Sequence, residues 1–338
     1  MTLDQAAEKT KVFLKFSGIL LGLVFVLFVG SKIFSAIFPA AAPPPEVSFG
    51  KLYSPDFPNS PNKTFSYTLE TISGRLPTFQ PQVKVFKMAT NTPDLLALSK
   101  AQALVSGVGF NNSPAKISDN IYQWRDSKSS RILTMNIQDL NFNMISDFLS
   151  NPNQPFFPKE VGDATKTAEN FLTGINLMPG DLDPTKTQAS LFSIKNYSLV
   201  PATSLSNAQA IQVSFFQKPF NNLPIYYLRT AVSTLNFLVG GVGTKPEVVE
   251  ANYFYQKPSS ESSTYPIKTA NVAFEDLKKG KVYIASSGSG DKVSIKNISL
   301  GYYMSEKKQD YLLPIVVFEG NDGFMAYEFA VTDEWVNK

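Results

Sequence analysis

The sequence predicts an α+β protein: one N-terminal transmembrane helix followed by two or three small modules, each a helix packed on an antiparallel sheet. The membrane helix is predicted from an uncharged apolar run between Phe16 and Ser31. The modules are predicted because each helical stretch is followed by several segments with the alternating pattern of strands. Helices are sparse and do not alternate with single strands, which favours α+β over α/β.

The apolar run has the composition of a membrane span. Eleven of the sixteen residues from Phe16 to Ser31 are Leu, Ile, Val or Phe, and their summed insertion free energy is about −5 kcal/mol. A helix over residues 16–38 would be about 34 Å long, enough to cross a bilayer. Ala40–Ala42 offers a signal-peptidase-like site, but Pro43 would follow the best cut. We therefore expect a signal anchor that is retained rather than a signal peptide that is cleaved.

Charges around the run predict its orientation. Three lysines precede it and one follows closely: Lys9, Lys11, Lys15 and Lys32. The positive-inside rule then makes residues 1–15 a cytoplasmic tail and holds most of the chain outside the cytoplasm, anchored in the cell membrane. Gly18 and Gly22 form a G-x-x-x-G pair, which lets helices pack closely. The lipid bilayer is one predicted partner. The glycine pair predicts a second, either another copy of this chain or a different membrane protein. The alternative is that these glycines are present only because glycine is common in membrane helices.

The rest of the chain divides into a linker and three predicted modules. Residues 39–62 are rich in proline and should be extended. The modules are expected at 63–158, 159–260 and 261–338. Their helices are expected to begin near Thr92-Pro93, at Asp163, and after Thr264 with Pro266 in the first turn.

Composition excludes several classes of function. The 338 residues include no cysteine and no histidine, so disulfides, thiolate or imidazole metal sites and a Ser-His-Asp triad are ruled out. The net charge is only +3, without the basic excess of a nucleic-acid-binding protein. An extracytoplasmic protein without disulfides fits a bacterial envelope.

Two patterns of catalytic residue types are incomplete. Ser289-Gly290-Asp291-Lys292 and Ser118-Asp119-Asn120 match penicillin-binding-protein motifs, but in reversed order. Glu319, Asp322 and Glu328 could supply a glycosidase carboxylate pair, but their separation is not set by the sequence. We therefore predict no catalytic, metal-binding or cofactor-binding residue, no cofactor, and no enzymatic activity.

Tyrosine clusters provide the candidate interaction surface. They are Tyr226-Tyr227, Tyr253-Phe254-Tyr255 and Tyr302-Tyr303. Adjacent residues of a strand point to opposite faces, so one tyrosine of each cluster is expected at a surface. Tyr226, Tyr253 and Tyr302 are the candidates for contacting a protein or stacking on a glycan. The alternative is ordinary strand composition, in which aromatics are common.

Two short motifs carry a family resemblance. Leu300-Gly301-Tyr302-Tyr303 precedes Leu313-Pro314-Ile315-Val316-Val317-Phe318, and a helix is expected over Ile267–Lys279. Over 161–331 this arrangement resembles PepSY-type modules, especially the YycH/YycI family of membrane-anchored regulators of two-component signalling. The resemblance implies a non-catalytic protein that contacts a sensor kinase or another membrane partner.

The predicted function is therefore that of a non-enzymatic, single-pass membrane protein with an extracytoplasmic interaction domain. It would regulate a membrane or envelope partner through protein–protein contact. The alternative is a module that binds cell-wall glycan or another envelope polymer, and a third class is an envelope hydrolase using carboxylates or a Ser/Lys pair.

Overall fold

The computed structural model describes residues 17, 20–30, 43–58, 63–126, 129–150, 160–242 and 245–337. The chain divides into two units, Met1–Pro44 and Pro45–Lys338. The first unit contains helical backbone at residue 17 and over 20–30, with exposed side chains such as those of Leu20 and Phe25.

The helical stretch in the first unit bears on the predicted anchor. Among the described residues, no helix combines the length and the apolar character that crossing a membrane requires. The predicted transmembrane helix over 16–38 and the cell-membrane localisation derived from it are therefore wrong. Of the predicted tail, membrane span and linker, residues 1–16, 18–19 (with Gly18), 31–42 and 59–62 lie outside the described residues.

The second unit is built from two large sheets, with strands numbered along the chain. The first sheet has eight strands: β1 (Ser66–Leu69), β2 (Gln82–Met88), β10 (Ile225–Tyr227), β13 (Pro258–Pro266), β14 (Tyr283–Ser286), β15 (Lys292–Met304), β16 (Tyr311–Gly320) and β17 (Met325–Phe329). The second has nine: β3 (Ala115–Lys116), β4 (Ile121–Arg125), β5 (Ile132–Asn136), β6 (Phe142–Ile145), β7 (Gln188–Lys195), β8 (Ser198–Pro201), β9 (Ala210–Phe215), β11 (Leu235–Val242) and β12 (Lys245–Tyr253).

The two sheets differ in how their strands connect. The nine-stranded sheet has the order β3-β4-β5-β6-β12-β11-β9-β7-β8, and all its pairs are antiparallel. In the eight-stranded sheet, β15 pairs antiparallel with β16 and parallel with both β1 and β10. The parallel pair with β10 places the Tyr226 backbone beside Tyr303.

The sheet pairings overturn the predicted fold class. β2 lies in the range expected to form the first module, yet it pairs with β13 and β16. β6 of the same range pairs with β12. The prediction of an α+β chain of separate helix-on-sheet modules is wrong, because strands distant in sequence share two large sheets. Periodicity reports which face of a strand is buried, but not which strand lies beside it.

Three helices pack on these sheets in the described part of the second unit. They are α1 (Ala97–Ser106), α2 (Val161–Gly174) and α3 (Ala270–Lys278). α1 and α2 bury small residues such as Ala101 and Ala168 against the nine-stranded sheet. α3 buries Phe274 and Leu277 against the eight-stranded sheet. Each such large apolar side chain contributes about 1.5–3 kcal/mol by leaving water.

The start of α3 differs from the sequence prediction. Its N-cap is Thr269, whose side chain accepts a hydrogen bond from the Val272 N–H at 3.3 Å. Thr264 and Pro266 instead belong to β13, which pairs with β2. A proline is tolerated in a strand paired on one side, as β13 is with β2, as well as in the first turn of a helix, because neither place requires a hydrogen bond from its nitrogen.

Candidate functional site

A pocket of about 310 Å³ lies where the chain passes from the nine-stranded to the eight-stranded sheet. The segment after β9 supplies Phe216 and Pro219, and β10 supplies Tyr226 and Tyr227. β17 contributes Tyr327. We call this cavity the tyrosine pocket.

β10 is held in place by the strand beside it. The Tyr302 N–H donates to the Pro224 carbonyl oxygen at 2.8 Å, directly before β10. The ring of Tyr226 then lies over Gly301, where a Cβ would approach the ring Cε2 to 2.4 Å. Gly301 is therefore needed for this close approach, because any side chain would push the tyrosine away.

Tyr226 and Tyr227 have different roles. Tyr227 is buried, and its hydroxyl accepts from the Gln217 N–H at 3.2 Å. Burial raises its pKa, so it stays neutral. Tyr226 is half-buried, and its hydroxyl lies 3.4 Å from Glu319 Oε1 as a donor. Burial and the Glu319 charge both raise the pKa of Tyr226, so this ring presents a neutral hydroxyl to the pocket.

A buried aromatic cluster supports the wall of the pocket. The Tyr226 and Tyr327 ring centroids are 5.6 Å apart, and those of Tyr327 and Tyr303 are 6.5 Å apart. Phe57 stacks on Tyr283 at 5.1 Å in the same cluster. Such packed rings have few alternative rotamers, so the wall is rigid before any ligand arrives.

Charged groups of both signs line the tyrosine pocket. Lys186 and Arg229 are the cations, and Asp183 and Glu319 the anions. Asp183 Oδ1 accepts from the Thr185 hydroxyl at 2.6 Å, a bond that lowers the pKa of Asp183 and keeps it ionised. The site therefore combines a neutral aromatic interior with hydrogen-bonding and ionic groups around it.

Of the three tyrosines predicted for an interaction surface, one lines the pocket and two are buried in the core. Tyr226 lines the tyrosine pocket. Tyr253 is buried in the core of the nine-stranded sheet, and its hydroxyl donates to the Leu177 carbonyl at 2.9 Å. Tyr302 is fully buried, with its hydroxyl donating to the Lys84 carbonyl at 2.8 Å. Among the described residues, no atom other than those of the chain neighbours and the helix's own backbone lies within 4 Å of the Gly22 Cβ position, and Gly18 lies outside the described residues.

The incomplete catalytic patterns are not assembled by the fold. Ser289 precedes β15 of the eight-stranded sheet, whereas Ser118 precedes β4 of the nine-stranded sheet. Glu319 lines the tyrosine pocket, and Asp322 accepts from the Ser289 hydroxyl at 2.7 Å in a turn. Glu328 faces a different pocket. Among the described residues, no three His, Cys, Asp or Glu side chains are grouped to hold a metal ion.

Sequence reasoning missed the residues that shape the site around Tyr226. Gly301 was part of a resemblance motif, but its close contact with Tyr226 spans 75 positions of sequence. Tyr327 and Phe216 lie in segments whose aromatic content is ordinary for strands, so nothing in the sequence singles them out. A glycine inside the strand Lys292–Met304 was the one available signal of a close approach.

Comparisons with known proteins give no family. No known protein family and no curated protein matches the sequence, so the YycH/YycI resemblance stays a prediction. Among solved structures, the chain is similar to an uncharacterized protein from Eubacterium rectale ATCC 33656. The identity is 12%, the match covers 79% of this chain and 88% of the other, and the TM-score is 0.41.

Proposed function

We propose that this protein is a non-enzymatic binding protein whose tyrosine pocket receives a side chain of a partner protein. The observation that carries the proposal is the rigid aromatic pocket built around Tyr226, whose ring is seated against Gly301. Its volume of about 310 Å³ is at the low end of ligand sites. That size suits one large side chain better than an extended cofactor.

The residue types of the pocket are those that dominate protein–protein binding. Tyrosine and arginine are enriched among residues that carry most of the binding energy, and they cluster around a desolvated centre. Here Tyr226 provides the centre and Arg229 stands at the edge, where its side chain is 64% exposed. Charges of both signs around an apolar centre favour a partner with complementary charges, and they fix its orientation.

A saccharide is the second candidate ligand. Tyr226 places a ring within hydrogen-bond reach of the Glu319 carboxylate, and an aromatic face beside acceptor groups also suits the two sides of a sugar ring. This reading corresponds to a polymer-binding module, with no catalysis.

Site-specific photocrosslinking tests the proposal. We would introduce benzoylphenylalanine at position 226 of the full chain and irradiate living cells of its host. The matched control carries the same group at Tyr197, which is 69% exposed in the turn between β7 and β8. One discrete protein adduct from position 226 and not from 197, lost in Arg229→Glu, is the expected result.

Retention of purified protein on isolated cell-wall polysaccharide separates the two candidates. Retention that is lost in Tyr226→Ala, without a protein adduct, would replace the protein partner by a polymer. Equal adducts from positions 226 and 197, together with retention unchanged by Tyr226→Ala, would refute both.

A further inference from the structure

A second pocket, of about 270 Å³, contains a cluster of ionisable groups and is here called the Glu328 pocket. Five side chains form the cluster: Lys268 before α3, Asp276 on α3, Lys281 after it, Glu328 on β17 and Asp333 beyond β17. Phe57, Tyr283 and Tyr327 form aromatic lining beside them.

Glu328 has one satisfied and one unsatisfied oxygen. Its side chain is 4% exposed, and Oε1 accepts from Lys268 Nζ at 2.5 Å. Within the described part of the chain, no N–H or O–H group reaches the buried Oε2. A buried carboxylate oxygen without a donor is costly, because it has lost water and gained nothing in exchange.

A proton on the Glu328 carboxyl group explains why Oε2 needs no donor. Asp276 faces Glu328 closely enough for the two carboxyl groups to share one. Burial and the Asp276 charge raise the pKa of Glu328 to about 8, although Lys268 acts in the opposite direction. At neutral pH, without a ligand, Glu328 is therefore the protonated partner of the pair.

The charge balance around the pocket indicates what could replace that proton. Lys268 and Lys281 offset Asp276 and Asp333 when Glu328 is neutral. Ionisation of Glu328 would leave one net negative charge in the cluster, with Oε2 as its unoccupied acceptor. A single monovalent cation restores neutrality. Tyr283 and Tyr327 are the other titratable side chains of the lining, and burial raises the pKa of each, so both stay neutral.

The lining narrows the choice of cation. The described residues hold no group of three metal-ligating side chains, whereas Phe57 and Tyr283 stack at 5.1 Å and offer ring surface. Ammonium and guanidinium groups bind both carboxylates and aromatic faces. We propose that the Glu328 pocket binds an organic cation, an alkylammonium or guanidinium group, which takes the place of the proton on Glu328 Oε2.

The exchange is balanced in charge and in protons. One proton leaves the Glu328 carboxyl group for solvent, one cation enters, and no covalent bond to carbon changes. Binding should therefore release about one proton below pH 8, and the affinity should rise about tenfold per pH unit until it levels off near the pKa of Glu328.

Isothermal titration calorimetry of the full-length protein tests this site, with butylamine and butylguanidine as probes and butanol as the uncharged control. We expect both cations to bind and butanol not to bind. Titrations at pH 6.5 in buffers of different ionisation enthalpy should show release of about one proton per cation bound.

Two variants make the result specific to Glu328. Glu328→Gln keeps the shape and the neutral state but has no charge to expose, so it should lose at least tenfold in affinity for both cations. Glu334→Gln, on the exposed turn after β17, should bind like the unchanged protein. Thermal melting checks that both variants fold. Absence of cation binding, or binding by Glu328→Gln with unchanged affinity, would overturn the proposal.

Discussion

The protonated state of Glu328 predicts an unusual dependence of stability on pH. The pKa of this side chain is about 8 in the folded protein and 4.5 for the free group. Below pH 4.5 both states hold the proton. Between pH 4.5 and 8 only the unfolded chain has released it, so the free energy of unfolding falls as the pH rises. Above pH 8 both states are ionised and the loss is complete.

The size of this effect follows from the difference between the two pKa values. A difference of about 3.5 corresponds to ~5 kcal/mol at 1.36 kcal/mol for each unit of pH. No histidine exists in this chain to titrate between pH 5 and 8. Asp276 does not contribute in that window: burial alone would raise its pKa, but the Glu328 proton and Lys268 hold it below 3.8.

Urea unfolding followed by circular dichroism at pH 5 and pH 8.5 measures the prediction. The unchanged protein should lose on the order of 4 kcal/mol between these conditions, and Glu328→Gln should lose much less. Asp139 and Glu250, whose pKa values are also raised by burial, titrate in both proteins and cancel in the difference. Equal losses in the two proteins would show that Glu328 is ionised when folded, and the reasoning would fail.

Two further substitutions test individual contacts. Gly301→Ala places a Cβ 2.4 Å from the Tyr226 ring, so the ring must move. We expect the free energy of unfolding in urea to fall by about 1–3 kcal/mol and the crosslink from position 226 to be lost. An unchanged stability and crosslink would contradict the close approach. Thr269→Ala removes the side-chain cap of α3 and should lower the free energy of unfolding in urea by about 1 kcal/mol. Thr269→Ser keeps the hydroxyl group and should lower it by a few tenths of a kcal/mol at most. Equal effects of the two substitutions would place the start of the helix elsewhere.

Local patterns located the helix of the middle part of the chain. The helix start predicted at Asp163 lies in the first turn of α2, and Ala164, Ala168 and Phe171, which recur at helical spacing, are all buried. This helix was predictable because its buried face is set by residues three and four positions apart in the sequence. Thr264 and Pro266 led to a wrong helix start, because the same residue types suit a helix start and an edge strand. The pairing of β13 with β2 decides between the two structures.

The alternation of side chains along a strand also predicted one surface tyrosine in each tyrosine cluster. Whether that tyrosine is exposed depends on whether another part of the protein packs on its face of the sheet. Tyr226 is half-buried beside the buried Tyr227, as alternation requires. Tyr302 and Tyr303 point to opposite faces of β15, yet both are buried, because separate apolar clusters cover the two faces. A sheet covered on both sides leaves no surface for either residue of a pair.

The sequence by itself determined what chemistry is available. Without cysteine or histidine, any site must use carboxylates, lysine, arginine, amides, hydroxyl groups, aromatic rings and the main chain. Only the tertiary structure decided which of these meet. Lys268 and Glu328 are 60 positions apart and lie 2.5 Å from each other, and β2 finds its neighbours almost at the other end of the chain. Such contacts depend on the pairing of distant strands, which a local periodicity of two or 3.6 residues does not encode.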